Sequence, residues 1–104
     1  MSGANPMRGE ASLTIGGESL LLRPSFAALV AAEKELGSLF ALVERAAEGR
    51  LGIGEMTSLF FHCAVDRPEE VTRDRIGQAI AEIGLARATP ALRMLLTQIL
   101  QGRV

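Results

Sequence analysis

With 104 residues the chain suits one domain, and 48% hydrophobic against 22% charged residues is the balance of a folded globular protein rather than a disordered one. Eleven basic against twelve acidic residues leave a formal net charge of −1, so no general field draws phosphate backbones or anionic lipid, and neither nucleic acid nor a membrane is an expected partner. The single cysteine cannot form an internal disulfide, and no N-terminal apolar run has the pattern of a signal peptide or a span, so the expected location is the cytoplasm. Trp and Tyr are absent and ten of the eleven basic residues are Arg, so a binding hot spot would have to rest on Phe, Leu, Met or Arg.

Residues 1 to 7 carry Ser, Gly, Asn and Pro without periodicity and read as a flexible arm. From residue 10 the period is two: Ala11, Leu13 and Ile15 fall on one face and Ser12 and Thr14 on the other, as in a half-buried strand. Gly16-Gly17 then supplies a two-residue turn of the kind that needs positive φ, and Glu18 to Arg23 is the return strand, so a β-hairpin is expected over 10–23. Pro24 ends it, because it cannot donate to a ladder and disfavours helical Arg23.

The period then becomes helical. Ser25 caps a first helix with Phe26, Leu29, Val30 and Leu36 on its apolar side, and Gly37 closes it. Ser38 caps a second with Leu39, Phe40, Leu42, Val43 and Ala46, ending at Gly49; the link 50–54 bends at two glycines. A third helix presents Met56, Leu59, Phe60 and Cys63 and stops before Pro68. Thr72 caps a fourth with Ile76, Ile80 and Ile83, terminated by Gly84. Thr89-Pro90 reads as the start of a fifth, whose Leu92, Leu95, Leu96, Ile99 and Leu100 form the clearest stripe in the chain. The expected fold class is therefore mainly α: an N-terminal β-hairpin followed by a compact bundle of four or five short helices over 25–102, in one domain spanning 1–104.

The run Met7-Arg8-Gly9-Glu10, the paired glycines, Leu22-Arg23-Pro24-Ser25-Phe26, and then Glu33 and Leu36-Gly37 resemble the start of the gene transfer agent tail-assembly family. These are small proteins of phage-like particles in alphaproteobacteria, related to phage tail-assembly chaperones. The resemblance continues through Ala47-Glu48-Gly49-Arg50-Leu51-Gly52, similar to the family's link between second and third helices, and through Gly84-Leu85, similar to its link into the last. It implies a non-enzymatic chaperone that binds a helical tail component, the tape measure, transiently during tail morphogenesis. The alternative is a structural component associated with the tail tube, in which the hairpin's free edges pair with another chain. The implied partners are the tape-measure protein and/or the major tail protein, and self-association is compatible with either reading.

No residues stand out as catalytic, cofactor-binding or metal-ligating. His62 and Cys63 are the one adjacent base and nucleophile, but helix neighbours point about 100° apart, so a dyad is not expected. Cys63 continues the stripe of the third helix and reads as core. One His and one Cys fall short of the four ligands of a structural zinc site. Gly49-x-x-Gly52-x-Gly54 lacks the Gly-Lys-Ser/Thr ending of a phosphate loop.

Partner contact is the remaining role, and two candidate surfaces follow. Leu92, Met94, Leu95 and Ile99 on the last helix offer more apolar residues than one packing stripe needs; the plain alternative is that this helix closes the bundle. Arg67, Arg73 and Arg75 sit near the start of the fourth helix, where basic charge opposes the dipole, and form either a solvated face or a recognition patch.

Overall fold

The computed structural model describes residues 10–102. The arm expected at 1–7 lies outside them. Two antiparallel strands, β1 (Ala11–Ile15) and β2 (Glu18–Leu22), pair in unbroken register with Leu13 opposite Leu20 and Ile15 opposite Glu18. Gly16 and Gly17 have φ of +55° and +84°, the two left-handed residues of a type I′ turn, whose twist matches that of the strands. Five helices follow: α1 (Phe26–Leu36), α2 (Leu39–Ala47), α3 (Ile53–Cys63), α4 (Arg73–Ile83) and α5 (Leu85–Gln101). The hairpin and the mainly helical remainder are as the periodicity predicts.

The hairpin survives because only one face is wet. Ala11, Leu13, Ile15, Leu20 and Leu22 are buried, with β1 packed against α4 and α5, while Ser12, Thr14 and Ser19 face out. A two-stranded ribbon is marginal alone, and this support stabilises it. A short third segment adds to it: Leu22 bridges to Ala64, with Arg23 N–H donating to the Cys63 carbonyl at 2.7 Å and Val65 N–H to the Leu21 carbonyl at 2.9 Å. α3 carries the centre of the core, with Leu59 and Phe60 fully buried and packed among Leu22, Leu42, Ile76, Ile80 and Leu95.

The predicted caps at Ser25, Ser38 and Thr72 each accept a hydrogen bond from a backbone N–H three residues on. Three boundaries or faces differ from expectation. α3 starts at Ile53, inside the expected link, because Gly52 acts as its N-cap and the Glu55 carboxylate reaches back to the Gly52 N–H at 3.1 Å. α5 starts at Leu85 rather than at Thr89-Pro90: Gly84, at φ +91°, both ends α4 and opens α5, so the chain turns in one residue. Pro90 then lies inside the helix, where it cannot donate the usual bond to the carbonyl four residues back, and Thr89 donates its hydroxyl to the Leu85 carbonyl at 2.7 Å instead of capping.

The third difference concerns α1. Its buried residues are Ala28 and Ala32, and Phe26 at its first position is 85% exposed. The Ala28, Ala32, Leu36 row recurs every four residues without a charge, whereas the Phe26, Leu29 row runs into Glu33. The uncharged row faces α3.

Candidate interaction surface

The predicted contact residues of α5 divide by burial. Leu95 is fully buried and Leu92 is 8% exposed; both belong to the core, and Leu92 also lines a hollow between α2 and α5. Met94 and Ile99 are half-buried and pack against that core. Leu95 thus packs into the bundle, while Leu92, Leu96, Ile99 and Leu100 line open hollows beside α2.

Of the three predicted arginines, two meet on one aromatic ring and the third lies apart. Arg67 donates to the Val71 carbonyl at 2.7 Å and lies 4.5 Å from the centre of the Phe61 ring. Arg73 lies 4.7 Å from the same centroid and pairs with Glu35. Arg75 is exposed and extends toward the hairpin turn, its guanidinium 3.5 Å from where a side chain at Gly16 would begin.

Glu35 is the focus of a polar clasp joining α1, α3 and α4. Its carboxylate accepts from the Ser58 hydroxyl at 2.9 Å, lies 2.7 Å from His62 Nε2, and is bound by the Arg73 guanidinium. Arg73, with His62 and Ser58 behind it, pulls this carboxyl down to about 2, against a small opposing effect of burial. His62 is therefore a strut between α3 and α1. Its neighbour Cys63 is 1% exposed, and burial pushes the thiol up to about 12, the state of an inert core residue rather than of a nucleophile. Glu55 is similarly held below the usual carboxylate range by the Gly52 N–H and the Arg45 guanidinium, tying α2 to the start of α3.

Two open surfaces among the described residues suit contact with a partner. The first is apolar. Phe26 and Phe40 are 85% and 74% exposed, and Leu100 is 52% exposed. A hollow of about 230 Å³ between α1, α2 and the end of α5 is lined by Leu29, Glu33, Leu39, Phe40, Val43, Ile99 and Leu100. It adjoins a second hollow of about 330 Å³ between α2 and α5, with Val43 and Leu100 common to both and Arg93 on its wall. Periodicity alone assigns Phe26 and Phe40 to core-facing sides. The signal against that was present in the sequence: each sits one or two residues after a helix cap, off the row that stays uncharged through the helix.

The second surface is the sheet edge. A two-residue turn between Ile15 and Glu18 makes those residues a hydrogen-bonded pair, so alternation turns the N–H and C=O of Ser12, Thr14, Ser19 and Leu21 outward. On β2 the outer edge is sealed at its end by residues 63–65 and flanked toward its start by Pro68 and Glu70. On β1, no main-chain hydrogen bond reaches Ser12 or Thr14 from outside the hairpin among the described residues. β1 also lacks the charge, proline or bulge by which proteins usually blunt an edge.

Among the described residues no helix is long and apolar enough to cross a membrane, and no three His, Cys, Asp or Glu side chains converge in a way that could hold a metal ion. No curated protein and no solved structure matches the chain. A family model does: the family described as "Phage tail tube protein, GTA-gp10" matches residues 8–102, which takes in the hairpin and all five helices. The chain belongs to this gene transfer agent tail tube protein family.

Proposed function

We propose that the protein is a structural, non-enzymatic component of a gene transfer agent or phage-like tail, associated with the tail tube, and that it joins a neighbouring tail subunit by strand addition at the outer edge of β1. The observation that carries this reading is the asymmetry of the two sheet edges. The edge of β2 is occupied by residues 63–65, while β1 presents the main-chain groups of Ser12 and Thr14 on an uncharged, unbulged strand. Strand addition draws affinity from the main chain and is indifferent to overall charge, which suits a chain whose formal net charge is −1. The family description, a tail tube protein, supports a part of the tail over a chaperone that holds the tape measure and is then displaced. The partner in this reading is the major tail protein.

Thr14→Pro tests the edge. The Thr14 N–H points away from β2, so proline removes no bond of the hairpin, and proline is tolerated on edge strands. The variant should fold normally yet reduce particle yield at unchanged protein level. Full particle yield with Thr14→Pro would remove strand pairing at β1 from the account.

A further inference from the structure

The geometry points to the α1, α2 and α5 face as a self-docking surface, on which a second copy of this chain seats its Phe26 in the hollow formed by Leu29, Phe40, Val43, Ile99 and Leu100 about a two-fold axis. This surface is separate from the β1 edge, and the proposal stands or falls independently of strand pairing.

Three observations converge on a second copy rather than another protein. First, knob and hole lie on the same face. Phe26 projects at 85% exposure one helical turn from Leu29, which lines a hollow of about 230 Å³. An isologous interface requires a patch that carries both halves of its own complement, and a two-fold would repeat the contact at no added sequence cost. Second, the area is that of a small interface. Phe26 and Phe40 together expose roughly 300 Å², and with Leu100 and the half-buried apolar residues around them the patch falls short of the ~800 Å² per partner of a standard interface and suits a weak, reversible one. Patches of this size on monomers mark contact sites. Third, the rim is self-compatible. Glu33 lines one hollow and Arg93 the adjoining one, so the face carries both signs and does not repel its own copy as a single-signed face would. In a chain without Trp or Tyr, exposed Phe is also the available aromatic anchor.

The test is sedimentation equilibrium of the purified chain from micromolar to millimolar concentration, beside Phe26→Ser and Phe40→Ser. A reversible monomer–dimer equilibrium is expected, with each substitution raising its Kd at least about tenfold. Both side chains are mostly in water, so circular dichroism and thermal melting should be unchanged, which separates lost docking from lost fold. A second measurement fixes the face: mixing Ala27→Cys protein with Gln101→Cys protein, both at exposed positions, should give a cross-link between copies with a short bis-maleimide, while buried Cys63 stays unlabelled. A chain that is monomeric throughout, a dimer unaffected by Phe26→Ser, a missing cross-link or an open-ended polymer would each overturn the proposal. Loss of binding to the major tail protein in Phe26→Ser, with the chain itself monomeric, would reassign the face to that partner.

Discussion

Glu35→Gln isolates the clasp that ties α1 to α3 and α4. The substitution keeps the shape of the side chain and removes the charge that Arg73 binds and that Ser58 and His62 approach at 2.9 and 2.7 Å. At full strength, holding a carboxyl at about 2 instead of its ordinary 4.5 corresponds to roughly 3 kcal/mol. The side chain keeps 35% of its surface in water, however, where ion pairs retain only a fraction of that energy, so the expected loss near neutrality is ~1 kcal/mol. The pH dependence has a defined sign. A carboxyl whose folded value is depressed contributes stability that is complete above its ordinary value of 4.5 and is lost as pH falls through about 2. Urea unfolding of both proteins, compared at pH 6 and at pH 3, should show the difference shrinking to less than half at the lower pH. A difference that is absent at pH 6, or that grows on acidification, would refute the clasp as an electrostatic strut.

Two further contrasts probe packing and backbone. Leu95→Ala empties a fully buried site and should cost about 2 to 4 kcal/mol in chemical denaturation, whereas Phe40→Ser, 74% exposed, should stay within about 0.5 kcal/mol; equal losses would mean that Phe40 is a core residue. Gly17→Ala should destabilise by about 1 kcal/mol purely through the φ of +84°, since nothing lies within 4 Å of the added methyl, while Gly54→Ala, equally unobstructed but in the first turn of α3, should stabilise by a few tenths to about 1 kcal/mol. The same sign at both positions would contradict the turn assignment.

The order of elements was legible because it rests on local chemistry. Positive-φ glycines at 16 and 17 and hydroxyl caps at Ser25, Ser38 and Thr72 act through neighbouring backbone, and the structure uses them as the spacing predicts. Pro90 misled because a proline at a helix start and one early in a longer helix differ only in what precedes them, and the decision was made six residues upstream at Gly84. The interaction surface was harder. A stripe of Leu and Met on α5 is the same pattern whether it faces a core or a partner, and only the packing of β1 and α4 against α5 settles that Leu92 and Leu95 are inside. The arginines near α4 carry no mark in the sequence that Glu35, 38 residues earlier, will bind Arg73. The asymmetry of the sheet edges is likewise non-local, since it depends on residues 63–65 returning to β2.

The claim that the chain is part of the tail is tested most directly by quantitative mass spectrometry of particles purified by sedimentation, scored for this chain against the major tail protein. The account predicts a fixed ratio between the two in finished particles, retained through salt washing. If the chain is absent from finished particles although its deletion abolishes tails, the structural reading is wrong and a transient chaperone of tail assembly takes its place.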